Sequence, residues 1–148
     1  MALNVRRVVT ANDKDGKAKV WIDDVANNIR VPRPGVETML VWSTDSTPAD
    51  LTGNEDLGAR KVERPPQYRG TIFRVIEFSP GNEYDMHITQ TIDYALVMSG
   101  EIDMELDDGA SVHLRQGDAL VQRATVHNWA NRGVDPCVIA FILIDAQP

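Results

Sequence analysis

Short runs rich in Val, Ile, Phe and Trp recur along the chain between turn residues, and apolar residues almost nowhere repeat at helical spacing. That rhythm predicts an all-β sandwich or barrel. Arg6 to Thr10 reads as a first strand, Asn12 to Gly16 as its turn, and Lys17 to Asp23 as the returning strand. Arg30 to Gly35 holds Pro32 and Pro34 and is expected to break the pattern, because each proline removes a ladder donor. Glu37 to Ser43 is the next strand. Thr44 to Gln67 is polar and carries Pro48, Gly53, Gly58, Pro65 and Pro66. It reads as a long irregular connection with at most one short helical turn, capped by Thr47 with Pro48 in its first position. A connection of this length is either a lid over an interior site or a surface excursion.

From Gly70 onward the expected strands follow quickly: Thr71 to Phe78, one long extended stretch from Met86 to Met98, Glu101 to Leu106, Ser111 to Leu114, Ala119 to Gln122, His127 to Trp129 and Cys137 to Ile144. Asp107-Asp108-Gly109 between two of them is a strong hairpin-turn signal. No heptads, low-complexity tracts or breaks in composition divide the chain. Residues 1–148 therefore read as one domain, with N-terminal strands and an irregular loop over 1–69 and the core barrel over 70–145.

Composition narrows the partners. The 148 residues hold 15 Lys+Arg against 22 Asp+Glu, a formal charge of −7. An acidic chain repels phosphate backbones and anionic bilayers, which argues against nucleic-acid and membrane partners. The longest apolar run, Cys137 to Ile144, is far too short to span a bilayer, and no apolar stretch near Met1 suggests a signal peptide. Cys137 is the single cysteine and sits among aliphatic residues, so a reducing cytoplasm is expected and a nucleophilic thiol is not. There is no Gly-x-Ser-x-Gly elbow, phosphate-binding Gly-rich loop or Cys-x-x-Cys pair. A small-molecule substrate is the partner class that remains.

The candidate chemistry rests on histidine. His87, Thr89 and Asp93 are spaced evenly, as are His127, Trp129 and Asn131. Even spacing on an extended strand puts side chains on one face. If the two segments face each other inside a barrel, His87, Asp93 and His127 converge as two imidazoles and a carboxylate, the set used for non-haem iron and related divalent metals. Without metal, the same residues make a His–Asp pair able to do acid–base work or to line a ligand-binding pocket. Thr89 is a pocket hydroxyl, and Trp129 shares parity with His127. Gln122 lies within reach of the barrel mouth. Arg74 would grip a substrate carboxylate if it pointed inward, although its setting between Phe73 and Val75 favours an outward, solvated charge. His113 is expected on the surface, and Asn131 in a turn or loop hydrogen bond.

The spacing of these residues resembles the cupin superfamily. Its first motif places Gly81, His87, Asp93 and Gly100 on the family's positions, and its second places Gly117, His127 and Asn131, with His127 one residue early. The resemblance implies a double-stranded β-helix, a jelly-roll-like barrel, here with extra N-terminal strands. It also implies a divalent metal (iron, zinc, manganese or nickel) held by His87, Asp93 and His127. Thr89 stands where the family has a second histidine, and Asp93 replaces a glutamate and is shorter by about 1.5 Å. Arg123 and Thr125 occupy the usual Pro and Gly positions. The implied activity is that of a small-molecule enzyme such as a dioxygenase, lyase, decarboxylase or isomerase, acting on an aromatic, polyketide-like or small organic acid. Cupins commonly pair, and the open sheet edges here lead us to expect a homodimer.

Overall fold

The computed structural model describes residues 3–62, 66 and 68–148. Eleven strands and one 3₁₀ turn (Asp107–Gly109) account for the regular structure of the described residues: β1 (Arg6–Asn12), β2 (Ala18–Val25), β3 (Ile29–Arg33), β4 (Val36–Thr44), β5 (Thr71–Phe78), β6 (Thr91–Ser99), β7 (Glu101–Glu105), β8 (Ser111–Arg115), β9 (Ala119–Arg123), β10 (Asn128–Ala130) and β11 (Cys137–Asp145). They form a six-stranded antiparallel sheet in the order β3-β4-β5-β11-β6-β9, a three-stranded sheet β10-β7-β8, and the separate hairpin β1-β2. Among the described residues no helix is long and apolar enough to cross a membrane.

Alternation along the strands builds the interior. On β11, Cys137, Ile139, Phe141 and Leu143 are buried and join Ile72, Ile76 and Phe78 of β5 in the main core, with Ile102, Met104 and Trp129 from the smaller sheet facing them. Residues of opposite parity on the large sheet, including Met39, Val75 and Ala140, are covered instead by Leu3, Val5 and Ala26. The apolar run at the chain's end is thus a central strand buried on both faces over part of its length. Burial pushes the Cys137 thiol up to about 12, so it stays protonated and inert.

Three local expectations are corrected. Arg30 to Gly35 does not break the sheet: β3 runs through Pro32 and turns into β4 at Pro34-Gly35, where Gly35 takes φ +76°. The strand tolerates proline because it is the sheet's edge and its register with β4 slips between Arg30 and Arg33. Met86 to Met98 is not one strand, because Thr91 N–H donates to the Thr89 carbonyl at 2.8 Å and this tight turn ends the extended run before β6 begins. Thr47 caps no helix; its hydroxyl donates to the Arg69 carbonyl at 2.7 Å and ties the two ends of the long connection together.

That connection is fastened along its described length. Arg7, 7% exposed, bridges Asp24 of β2 and Asp56 of the loop, with contacts of 2.8 Å to each. Asn28 donates to the carbonyls of Gly58 and Arg60, and Ser43 to that of Leu57. Gly58 lies so close to β4 that a Cβ there would stand 2.2 Å from the Val41 carbonyl oxygen. Pro65 and Gln67 of this stretch fall outside the described residues.

The outer face of the smaller sheet carries a charge network. His113 on β8 is exposed and contacts Asp103 at 2.6 Å and Glu101 at 3.0 Å, while Arg132 pairs with Asp103 and Glu105. Hydrogen bonds from Asp103, then Glu101, hold the His113 pKa above its ordinary value. The stabilisation from protonated His113 is therefore full below about pH 6.5 and is lost as pH rises through the raised value. Asp103 is held low, chiefly by His113, and its contribution has the opposite sense, fading on acidification through the carboxylate range. We expect His113→Gln to abolish the stability that the native chain loses between about pH 6 and pH 9. Urea unfolding at both values measures it, and an unchanged slope with pH in the variant would contradict the pairing.

Candidate active site

The site is built on a seam between the segment 79–87 and the segment 127–131. Gly81 N–H donates to the Asn131 carbonyl at 2.9 Å, and the Asn82 side chain donates to the Trp129 carbonyl and accepts from Asn131 N–H. Asp85 N–H donates to Asn128 Oδ1 at 2.9 Å. His87 and His127 then exchange both backbone hydrogen bonds, at 3.0 and 2.9 Å, as an isolated antiparallel bridge. Directly opposed residues in such a pair project their side chains to the same face. The imidazole centroids accordingly lie 4.4 Å apart, inclined by 55°.

Each ring is held by its Nδ1 edge. His87 Nδ1 lies 2.8 Å from the Asp85 carbonyl and 3.3 Å from the Asp85 carboxylate, whose Oδ2 also receives Arg33 Nη1 at 2.9 Å. His127 Nδ1 lies 2.9 Å from the Thr125 carbonyl, with the Gln122 amide packed against the same edge. A carbonyl only accepts, so Nδ1 carries the proton in neutral His87, whereas His127 Nδ1 meets both an acceptor, the Thr125 carbonyl, and a donor, the Gln122 amide nitrogen. Thr125 in turn donates to Gln122 Oε1 at 2.6 Å. The turn leading into His127 places Ala124 at φ +51°, where the family pattern has its Pro-x-Gly segment.

Asp93 sits on β6 between Gln122 of β9 and Leu143 of β11, is 7% exposed, and accepts from Thr91 Oγ1 at 2.6 Å. His87, Thr89, Asp93, His127, Trp129 and Arg74 all line one interior cavity, walled further by Phe78, Phe141, Ile76 and Leu143, with Arg33 at its rim. Its water-accessible volume is about 20 Å³, room for a single ordered water. Trp129 is 4% exposed and meets His127 and Phe141 edge to face.

Most of the side chains expected from sequence thus share one cavity. Arg74 faces inward, because it has the parity of Ile72, Ile76 and Phe78 rather than that of exposed Phe73. Gln122 does not reach the lining and instead braces His127 from behind. Asn131 donates to the Phe78 and Asp135 carbonyls, closing a loop as expected. Asp85 and Arg33 were not singled out by the sequence. Asp85 lies two residues before His87, so the even-spacing rule that linked Thr89 would have found it; Arg33 was hidden in a segment read as a break.

The fit to a metal is partial. Both imidazoles line the cavity, yet among the described residues no group of three His, Cys, Asp or Glu stands close enough to hold one ion. Asp93 is engaged by Thr91, and Thr89 offers a neutral hydroxyl, a poor ligand for a transition metal. The residues as arranged do not make a three-donor site.

An antiparallel barrel whose two glycine-bounded segments bring paired histidines into its interior is a double-stranded β-helix. The family profile described as Cupin domain matches residues 74–144. The cupin-domain-containing oxidoreductase srdD of Neurospora crassa is 36% identical over 95% of this chain and 75% of its own length. The cupin-domain-containing oxidoreductase fogC of Aspergillus ruber is 33% identical over 97% of this chain and 73% of its own. The chain belongs to the cupin family. Among solved structures, the polyketide cyclase RemF of Streptomyces resistomycificus superposes with a TM-score of 0.56 over 83% of this chain and 76% of that one, at 16% identity. That likeness speaks for the fold alone.

The hydrogen-bond geometry sets an expected outcome for long-range ¹H–¹⁵N NMR at a pH where the rings are neutral. His87 should show the Nδ1–H form, and Gln122→Leu should broaden or shift His127 while leaving His87 in place. An Nε2–H form at His87 would contradict the assignment.

Proposed function

We propose that this cupin is a small-molecule enzyme that moves protons inside the barrel, with His87 as general base and His127 as its neighbour on the substrate. The observation supporting this is the pair of imidazoles, bridged backbone to backbone and held at their Nδ1 edges, that line one interior cavity together. His87 Nε2 accepts a proton from an acidic C–H or O–H of the substrate. The imidazolium that forms keeps its Nδ1–H on Asp85, whose carboxylate offsets the new charge. The same Nε2 then returns the proton to a different atom, which makes the reaction an isomerisation or cyclisation with no net oxidation. Trp129, Phe78 and Phe141 form part of the cavity wall, and a substrate larger than the single water it now has room for enters only as these side chains move apart.

A second reading follows from Asp93 lying in the same cavity and from the names of the relatives. In it, His87, Asp93 and His127 hold a divalent metal after Asp93 turns away from Thr91, and the chain is an oxidoreductase.

One experiment separates the two. Acetylacetone in D₂O, followed by NMR with protein treated with chelator, should exchange its central C–H about a hundredfold faster with the native chain than with His87→Gln. Equal rates would retire the proton-transfer reading. Elemental analysis of native protein and His127→Ala completes the comparison: near-stoichiometric metal, lost in the variant, would install the metal reading instead.

We also propose that the chain forms a homodimer through the outer face of the large sheet. Phe73, Ile142, Tyr94 and Val121 stand in register across β5, β11, β6 and β9, each exposed by 38% or more. Such a row is a surface that solvent disfavours and a two-fold copy can cover. Sedimentation at micromolar concentration should give twice the chain mass, and Tyr94→Glu should give the monomer; a monomeric native chain would refute the dimer.

A further inference from the structure

The turn between β3 and β4 is docked onto the segment that carries His87. Ser79 N–H donates to the Gly35 carbonyl at 2.9 Å, and Glu83 N–H donates to the Pro34 carbonyl at 3.0 Å. Gly35 packs so closely that a Cβ there would stand 2.8 Å from the Asn82 Cα. These contacts set Arg33, the last residue of β3, beside Asp85, where its Nη1 meets Asp85 Oδ2 at 2.9 Å. That same Oδ2 lies 3.3 Å from His87 Nδ1. The Asp85 backbone is held on both sides, its N–H on Asn128 and its carbonyl on His87 Nδ1, so only the carboxylate is left to be oriented. The Asp85 side chain is 37% exposed, and a carboxylate free to turn is better solvated by water than by an imidazole edge. The Arg33 side chain is only 12% exposed, and among the described residues its buried Nε has no hydrogen-bond partner. An arginine kept at that cost is poorly explained by stability alone.

We propose that Arg33 is a positioning residue for proton transfer at His87, acting through Asp85: it keeps the carboxylate turned toward Nδ1 and away from solvent. The role rests on the proton-transfer reading given above. Arg33 neither gives nor takes the proton, since a guanidinium stays charged throughout. When His87 Nε2 accepts a proton, the positive charge spreads to the Nδ1–H edge. A carboxylate already in place there stabilises the imidazolium without first having to turn and shed water. The β3–β4 turn, remote in sequence from both histidines, thereby sets how well the base works. Its own hydrogen bonds to Ser79 and Glu83 fix the arginine relative to the segment that it serves.

A double-mutant cycle on the His87-dependent exchange of acetylacetone in D₂O, read as kcat and KM, tests this. Arg33→Leu and Asp85→Asn should each lower kcat about tenfold and leave KM within about twofold of native, and the double variant should lose no more than Asp85→Asn alone. Arg33→Lys should restore most of the rate, because the pairing is a contact that an ammonium can also make. The His87 ring signals in ¹H–¹⁵N NMR should be displaced in both single variants, and more than those of His127. Should Arg33→Leu fail to fold, Arg33→Gln takes its place in the cycle. A lower melting temperature with an unchanged kcat would reduce Arg33 to a structural tie. Losses that multiply in the double variant would show it acting by a route other than Asp85, and a faster Arg33→Leu would show its charge opposing the imidazolium more than its hold on Asp85 helps. Any of these three overturns the proposal while the base stands. A native chain with no His87-dependent exchange would instead bring down the proton-transfer reading, and this role with it.

Discussion

The reciprocal pair of backbone hydrogen bonds between His87 and His127 is the constraint on which the rest of the site depends. Neither residue lies in a regular strand, so nothing else in the ladder pattern dictates that the rings should meet. The bridge succeeds because the segments that carry it are already tied by Gly81, Asn82, Asp85 and Asn128 to their opposite numbers. Those contacts offset the entropy of ordering two non-strand segments before the histidines are reached. Once the bridge forms, side chains on the same face of an opposed pair have little freedom to diverge. The Asp85 carbonyl two residues upstream then selects the Nδ1–H tautomer of His87. Backbone pairing thus determines that the two rings meet.

Much of the fold was readable from alternation and turns. Thr71 to Phe78 and Cys137 to Ile144 emerge within a residue or so of their expected bounds because buried central strands combine strong β formers with clear punctuation at each end. What failed is instructive. Pro32 argues against a strand only if the strand is interior, and position within a sheet is a property of the whole topology that no local window contains. The long stretch from Met86 was broken by a two-residue turn at Thr89, for which the intervening residues carry no glycine or proline signal.

The site shows the same division. Even spacing linked His87 to Asp93 across what proves to be a turn, yet the two still line one cavity, so parity reached the right grouping through a strand that is not there. Parity was silent on Arg74, whose neighbours on both sides are apolar because one face of β5 meets the core and the other meets the N-terminal segment. Gln122 was expected at the mouth and is found supporting His127. Its role depends on the turn at Ala124, which returns the chain upon itself, and only three-dimensional proximity reveals that.

The fastening of the long loop carries a consequence for how members of this family diverge. Arg7 belongs to the first hairpin, outside the span that matches the family profile, yet it anchors Asp56, and the connection beyond it brings Arg60 and Val62 into a pocket shared with Arg74. A change in that hairpin would be transmitted to the barrel end beside the arginine while every histidine stayed in place. Selection acting on substrate range thus has a handle remote from the reacting groups. Two chains with identical interiors can part company through an appendage that a comparison of the shared domain would never inspect.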